Sequence, residues 1–208
     1  MFTKIEALCQ ELSGDFTRIS SERKILLNKI ADAISNVVQE EKPVDIVYIC
    51  THNSRRSHFG QIWGKVAADF YGIETVNTFS AGTEATAFHL NAIKAIQSQG
   101  FVVSQRSEGK NPMYSVQFGD HDELTCFSKV VDDASLPSER FIAIMTCSDA
   151  DENCPFVSGT LHRFATTYED PKVADGTDIQ EERYLERANQ IARESLFLFH
   201  RVKSLLTK

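Results

Sequence analysis

The stretch Asp45-Ile-Val-Tyr-Ile-Cys50-Thr-His-Asn-Ser-Arg-Arg56-Ser57 limits what this chain can fold into more than any other. Ile46 to Ile49 make a short apolar run rich in β-branched residues, the pattern of a buried strand. Polar residues follow Cys50, and from His58 to Tyr71 apolar positions recur at helical spacing: Phe59, Ile62, Trp63, Val66, Ala67 and Phe70. A strand that feeds a helix through a tight loop aims the loop N–H groups and the positive end of the helix dipole at one spot. A tetrahedral oxyanion binds at such a spot. A cysteine at its rim is chemically active, because the dipole and a nearby arginine stabilise its thiolate. Cysteine and arginine six positions apart are common by chance; the same pair between a buried strand and an amphipathic helix is not. His58 and Trp63 read as helix packing.

The rest of the chain alternates strands and helices. Periodicity predicts helices over 1–12 and about 20–39, the second capped by Ser20 and striped by Ile30, Ile34 and Val37, and Glu40-Glu-Lys-Pro43 ends it. Strands are expected over 74–79, 141–146 and 161–167, and helices over 89–99, closed by Gly100, and 178–206. Between 107 and 129 the pattern resembles a hairpin around Gly119-Asp120. This is an α/β chain: a four-stranded parallel sheet with helices on both faces, plus an N-terminal helical extension. Residues 1–44 form the extension and 45–208 the main domain. The extension reads as a cover for one side of the sheet in preference to a dimer or partner surface. In open α/β sheets ligands bind beyond the carboxyl ends of the strands. That rule gathers Cys50, Cys147 and Asp170, each just past a strand, at one edge.

Composition sets the remaining bounds. With 42% hydrophobic residues a chain of 208 residues fills a sizeable core. A formal net charge of −7 argues against nucleic acid or an anionic membrane as partner, so an anionic substrate must be caught by a local positive spot such as Arg55 and Arg56. The N-terminus lacks a signal-peptide pattern and no apolar run approaches the roughly 18 residues of a spanning helix, so a soluble, cytoplasmic protein is expected. Five cysteines (9, 50, 126, 147 and 154) form no disulfide framework and offer no Cys-x2-Cys zinc pair; no metal or cofactor is expected. Cys9 and Cys126 read as buried filler.

The Cys50-x5-Arg56-Ser57 loop resembles the signature of the low-molecular-weight protein tyrosine phosphatases and of the related thioredoxin-coupled arsenate reductases. The resemblance runs over roughly 45–206, loosely through 107–140, and is anchored by residues 50–57, Ser80-Ala-Gly82, Cys147 to Cys154 and Glu169-Asp170-Pro171. It implies Cys50 as nucleophile, and Thr51, His52, Asn53, Ser54, Arg55 and Arg56 as an oxyanion-binding loop. Arg56 would grip two oxygens with its planar fork. Ser57 would hydrogen-bond the thiolate, Asn53 would hold the loop shape, and Asp170 would be the general acid.

Cys147-Ser-Asp-Ala-Asp-Glu-Asn-Cys154-Pro-Phe resembles the redox segment of the reductases, which ordinary tyrosine phosphatases lack. The implied sequence has Cys50 attack arsenate, Cys147 attack the adduct, and Cys154 attack the resulting disulfide at Cys147. A thioredoxin-like reductant would then restore the dithiol. A disulfide needs Cα atoms roughly 5.5–6 Å apart, whereas seven residues of helix span about 10.5 Å. The segment must loop back or unwind to oxidise.

Two positions depart from the family pattern: His52 stands where glycine is usual, and Arg55 where many relatives have a second cysteine. Three readings follow. The first is an arsenate reductase-like enzyme, and the second a tyrosine phosphatase acting on phosphotyrosine. The third is a non-catalytic oxyanion-binding or thiol-sensing module.

Overall fold

The computed structural model describes residues 1–154 and 156–207; Pro155, inside the cysteine segment singled out above, and Lys208, the last residue of the 45–208 division, lie outside them. Helices α1 (Thr3–Ser13) and α2 (Ser21–Gln39) come first, and the Ser20 hydroxyl accepts from the Arg23 N–H at 3.2 Å as the N-cap of α2. Then follow β1 (Val44–Cys50), α3 (Arg56–Phe70), β2 (Val76–Gly82) and α4 (Leu90–Gln99). Gly100 closes α4 at φ +109°, a left-handed conformation that glycine adopts without a Cβ clash. The chain continues through β3 (Val102–Gln105), β4 (Tyr114–Gln117), β5 (Glu123–Cys126), β6 (Phe141–Met145), α5 (Ser148–Asn153), β7 (Thr160–Ala165) and α6 (Gln180–Leu206).

The main sheet has the order β2-β1-β6-β7, with every neighbouring pair parallel. This is the four-stranded parallel sheet expected from the alternation of elements. β1 is interior and apolar, and its side chains alternate between two cores. Ile46 and Tyr48 join the larger one, under α3 and α6. Val47 and Ile49 join a smaller one with Ala143, Met145 and Ala150 of α5. Gly60 and Gly64 let α3 lie against the ring of Tyr48, where a Cβ at either position would collide with it. That close approach fixes the start of α3 relative to the end of β1.

Two features differ from the sequence expectation. The 107–129 hairpin is part of a separate antiparallel sheet, β3-β4-β5, whose first strand had no signal of its own. β3 is four residues long, starts two residues after Gly100 and has neither face fully buried, so no alternation marks it. The N-terminal helices also rest chiefly on α6 and only marginally on the sheet. α6 runs for 27 residues and buries Ile191, Leu196, Leu198, Phe199 and Val202, more apolar surface than α3 and α4 can cover. Ile5, Leu12, Leu27, Ile30 and Ile34 fill the difference and share one core with Ile46 and Trp63.

Candidate functional site

β1 ends at Cys50 between two neighbours, with Gly82 of β2 opposite it and Met145 of β6 opposite Ile49. The chain then turns through residues 51–55 into α3. Asn53 makes the turn possible. Its φ of +43° lies in the left-handed region that asparagine tolerates, and its fully buried amide works in two directions. Nδ2 donates to Ser57 Oγ at 2.8 Å, and Oδ1 accepts from the Lys129 N–H at 2.8 Å. Ser57 in turn sits 3.1 Å from Cys50 Sγ. Sulfur, hydroxyl and amide thus form one buried chain, with the hydroxyl in reach of a thiolate at position 50.

The other side of the loop is held by backbone. The N–H groups of Thr83 and Glu84 donate to the carbonyls of Cys50 and Thr51 at 3.1 and 2.8 Å, and the His89 N–H donates to Ser54 at 3.0 Å. Gly82 lies so close that a Cβ there would sit 2.6 Å from Asn53 N and 2.7 Å from Thr51 O. His52 fits where a glycine is usual because its side chain turns outward, half exposed, with Nε2 3.6 Å from Glu84. Its carbonyl accepts from Thr86 and Ser128 hydroxyls, both at 3.0 Å.

The two arginines are both occupied. Arg56 donates to the Tyr168 carbonyl at 2.9 Å and pairs with Asp170 at 2.6 Å, its guanidinium 11% exposed. That contact carries the segment after β7 to the loop after β1. Asp170 also accepts from the Lys172 N–H at 3.0 Å, which orients the carboxyl. Arg55 points elsewhere: Nε donates to Tyr184 OH at 2.7 Å, and the guanidinium pairs with Asp175 at 3.2 Å. The local positive spot expected of Arg55 and Arg56 is thus split between two directions, and each arginine faces a carboxylate from the segment following β7. Burial works against the charge of Asp175, but hydrogen bonding from Tyr184 and the charge of Arg55 leave its carboxyl below the usual range. Burial, helped by the bond to Asp175, pushes the Tyr184 hydroxyl up to about 12. Sequence gave no signal for this cluster, since its members are joined across 120 and 129 positions.

The cysteines divide by surroundings. Burial pushes the thiols of Cys9 and Cys126 up to about 12, which makes both inert filler. Cys147 lies at the end of β6, buried, with Sγ 3.3 Å from Thr51 Oγ1 of the loop. It caps α5 by accepting from the Ala150 N–H at 3.4 Å. Cys154 is partly exposed at the far end of α5, and its sulfur contacts the Phe156 carbonyl at 3.5 Å. All five cysteines are free. The polar segment between 147 and 154 is helical in the reduced chain, because Cys147 supplies an N-cap and Asp149 and Asp151 suit the first turn.

Beneath the loop, His58 is fully buried, stacked on Phe88 at 4.1 Å, with Nδ1 3.1 Å from Ser80 Oγ. Burial, followed by the nearby Lys129 ammonium, holds its pKa well below the ordinary value, so the ring is neutral. Among the described residues no group of three His, Cys, Asp or Glu is arranged to hold a metal ion, and no helix is long and apolar enough to cross a membrane.

No family model matches the chain. Individual relatives do. An arsenate reductase from Bacillus licheniformis is 27% identical over 154 residues, covering 74% of this chain and 93% of that protein. Arsenate reductase 1 of Staphylococcus saprophyticus is 28% identical over 138 residues, covering 66% and 86%. Among solved structures, a low-molecular-weight protein tyrosine phosphatase from Bacillus subtilis superposes with a TM-score of 0.53 at 17% identity, covering 77% of this chain and 98% of that one. An arsenate reductase in its oxidised state superposes with a TM-score of 0.51 at 15% identity, covering 76% and 98%. The chain is thus similar to arsenate reductases at 27–28% identity and has the fold of the low-molecular-weight protein tyrosine phosphatases.

Proposed function

We propose that this chain is an arsenate reductase-like enzyme in which Cys50 forms the oxyanion adduct and Cys147 and Cys154 resolve it. One observation carries the reading: a second buried sulfur, that of Cys147, touches the oxyanion loop through Thr51 at 3.3 Å. The Cys50 thiolate attacks arsenic, and one arsenate oxygen leaves as water with a proton from Asp170. Arg56, already beside Asp170, grips the remaining oxygens, and the amides at the start of α3 share their charge. The Cys147 thiolate then attacks the Cys50 sulfur. A sulfur–sulfur bond forms, the sulfur–arsenic bond breaks, and its electron pair stays on arsenic, which leaves as arsenite. Cys154 attacks the Cys147 sulfur, frees Cys50 and leaves a Cys147–Cys154 disulfide for a thioredoxin-like dithiol to reduce.

A second reading rests on a different observation. Cys50 contacts Ser57 and the adjacent Arg56 pairs with Asp170, both without either downstream cysteine, and α5 keeps Cys154 on a contact of its own. That set suffices for a phosphatase acting on phosphotyrosine. A parallel assay separates the two. Arsenite release that needs thioredoxin and disappears in Cys50→Ser, Cys147→Ser and Cys154→Ser supports reduction. Aryl phosphate turnover that survives Cys147→Ser supports the phosphatase. Multiple turnovers of Cys154→Ser with thioredoxin would sink the three-cysteine relay, and a chain that turns over neither substrate sinks both readings.

A further inference from the structure

A cleft of about 550 Å³ opens where the first turn of α2 faces the middle of α6, and no residue of the 50–57 loop lines it. Arg18, Arg23 and Arg193 line it, together with Ser20, Glu22 and Glu194. Glu194 is already committed: it pairs with Arg23 at 2.8 Å and accepts from Tyr168 OH at 2.8 Å. Arg18 spends only its Nε on a carboxylate, that of Asp15 at 2.8 Å. Arg193 differs from both. Among the described residues it has no acceptor and no ion-pair partner, and its Nε is buried without a hydrogen bond. Burial, followed by the neighbouring charge of Arg18, disfavours its cationic form. The carboxylates of Asp15, Glu11 and Glu194 act on it only from beyond pairing distance. A half-buried guanidinium with no hydrogen-bonded acceptor is unfavourable, and an anion bound directly to it relieves that. The positive end of α2, a helix of 19 residues, opens into the same space at Ser20. Ile19 and Leu26 make an apolar wall, and Glu22 is the one lining carboxylate without a cationic partner among the described residues.

We propose that this cleft is a second anion site that takes a small organic phosphate. The phosphate lies between Arg18, Arg193 and the first turn of α2, and the carbon body lies against Ile19 and Leu26. Arginine suits this role because its fork matches two phosphate oxygens at once. The test is a titration of the ¹⁵N-labelled full chain with phenylphosphonate, which has no hydrolysable ester bond. The amide signals of Ser21 to Arg23 shift saturably. Arg193→Gln weakens that response by about tenfold or more, while phenylphosphonate still protects Cys50 from alkylation to the same extent. Arg18→Gln, a change at an exposed side chain, weakens it in the same direction. The inference is overturned if the first turn of α2 does not respond, or if its response survives both substitutions. Loss of Cys50 protection with the cleft response intact counts against the proposed enzyme and supports the second site.

Discussion

Gly82 shows how one missing Cβ holds the site together. It faces Cys50 across the β1–β2 ladder, and an added methyl would meet Glu84 O, Asn53 N and Thr51 O at 2.5, 2.6 and 2.7 Å, all of them backbone. None can yield by a rotamer change, so the loop must move. Gly82→Ala is expected to lower stability by about 1–3 kcal/mol and activity by on the order of 10²-fold through misplacement of the loop. Urea unfolding and initial rates check both; an unchanged rate would mean that the loop tolerates the shift. His58 makes a second prediction at this scale. Its folded pKa lies well below 6.5, so unfolding takes up a proton. The stability it allows is complete above about pH 6.5 and falls as pH drops towards the depressed value, by at most about 1.4 kcal/mol per pH unit. His89 is also lowered, by burial and then by Arg55, so the comparison belongs in a His89→Gln background. There, His58→Gln is expected to flatten the fall in urea-measured stability between pH 7 and pH 5. Equal slopes with and without His58 would assign the acid limb to another group.

Among the elements, α5 is the one whose order conflicts with the chemistry proposed for it. Its six residues join Cys147 to Cys154, and Cys147 Sγ serves as its N-cap acceptor. A disulfide between its two ends demands Cα atoms roughly 5.5–6 Å apart, closer than a straight helix of that length allows. Oxidation therefore has to remove the cap and unwind the helix. Hydrogen exchange should show amides 148–153 losing protection in the oxidised chain, while α3 and β1 keep theirs. Full protection of α5 after formation of the 147–154 disulfide would contradict this account. Short helices with few buried side chains open easily, and α5 buries only Ala150.

For the whole molecule, α6 is the axis on which both the parallel sheet's helices and the N-terminal pair converge. Ile5, Leu12, Leu27, Ile30, Ile34 and Val37 are each almost fully buried against that assembly. Burial of such a side chain contributes about 1.5–3 kcal/mol, so six of them weigh as much as the whole ~5–15 kcal/mol stability of a typical domain. A chain beginning at Val44 is expected to expose the apolar side of α6, to bind a hydrophobic dye and to lose cooperative unfolding. Retention of the full-length melting temperature would show that residues 1–43 are dispensable to the fold. Strand and helix periods, the cap at Ser20, the stop at Gly100 and the strand–loop–helix around Cys50 were all legible from the chain itself, because each depends on neighbours a few positions away. What neighbours cannot specify is which distant groups meet. Arg56 with Asp170, Arg55 with Asp175, Thr51 with Cys147 and Asn53 with Lys129 are contacts between segments 76 to 120 residues apart. Only the order of strands in the sheet brings those segments together. The local pattern determined that a tight polar loop joins β1 to a helix; the packed sheet decided which charges and which second sulfur surround it.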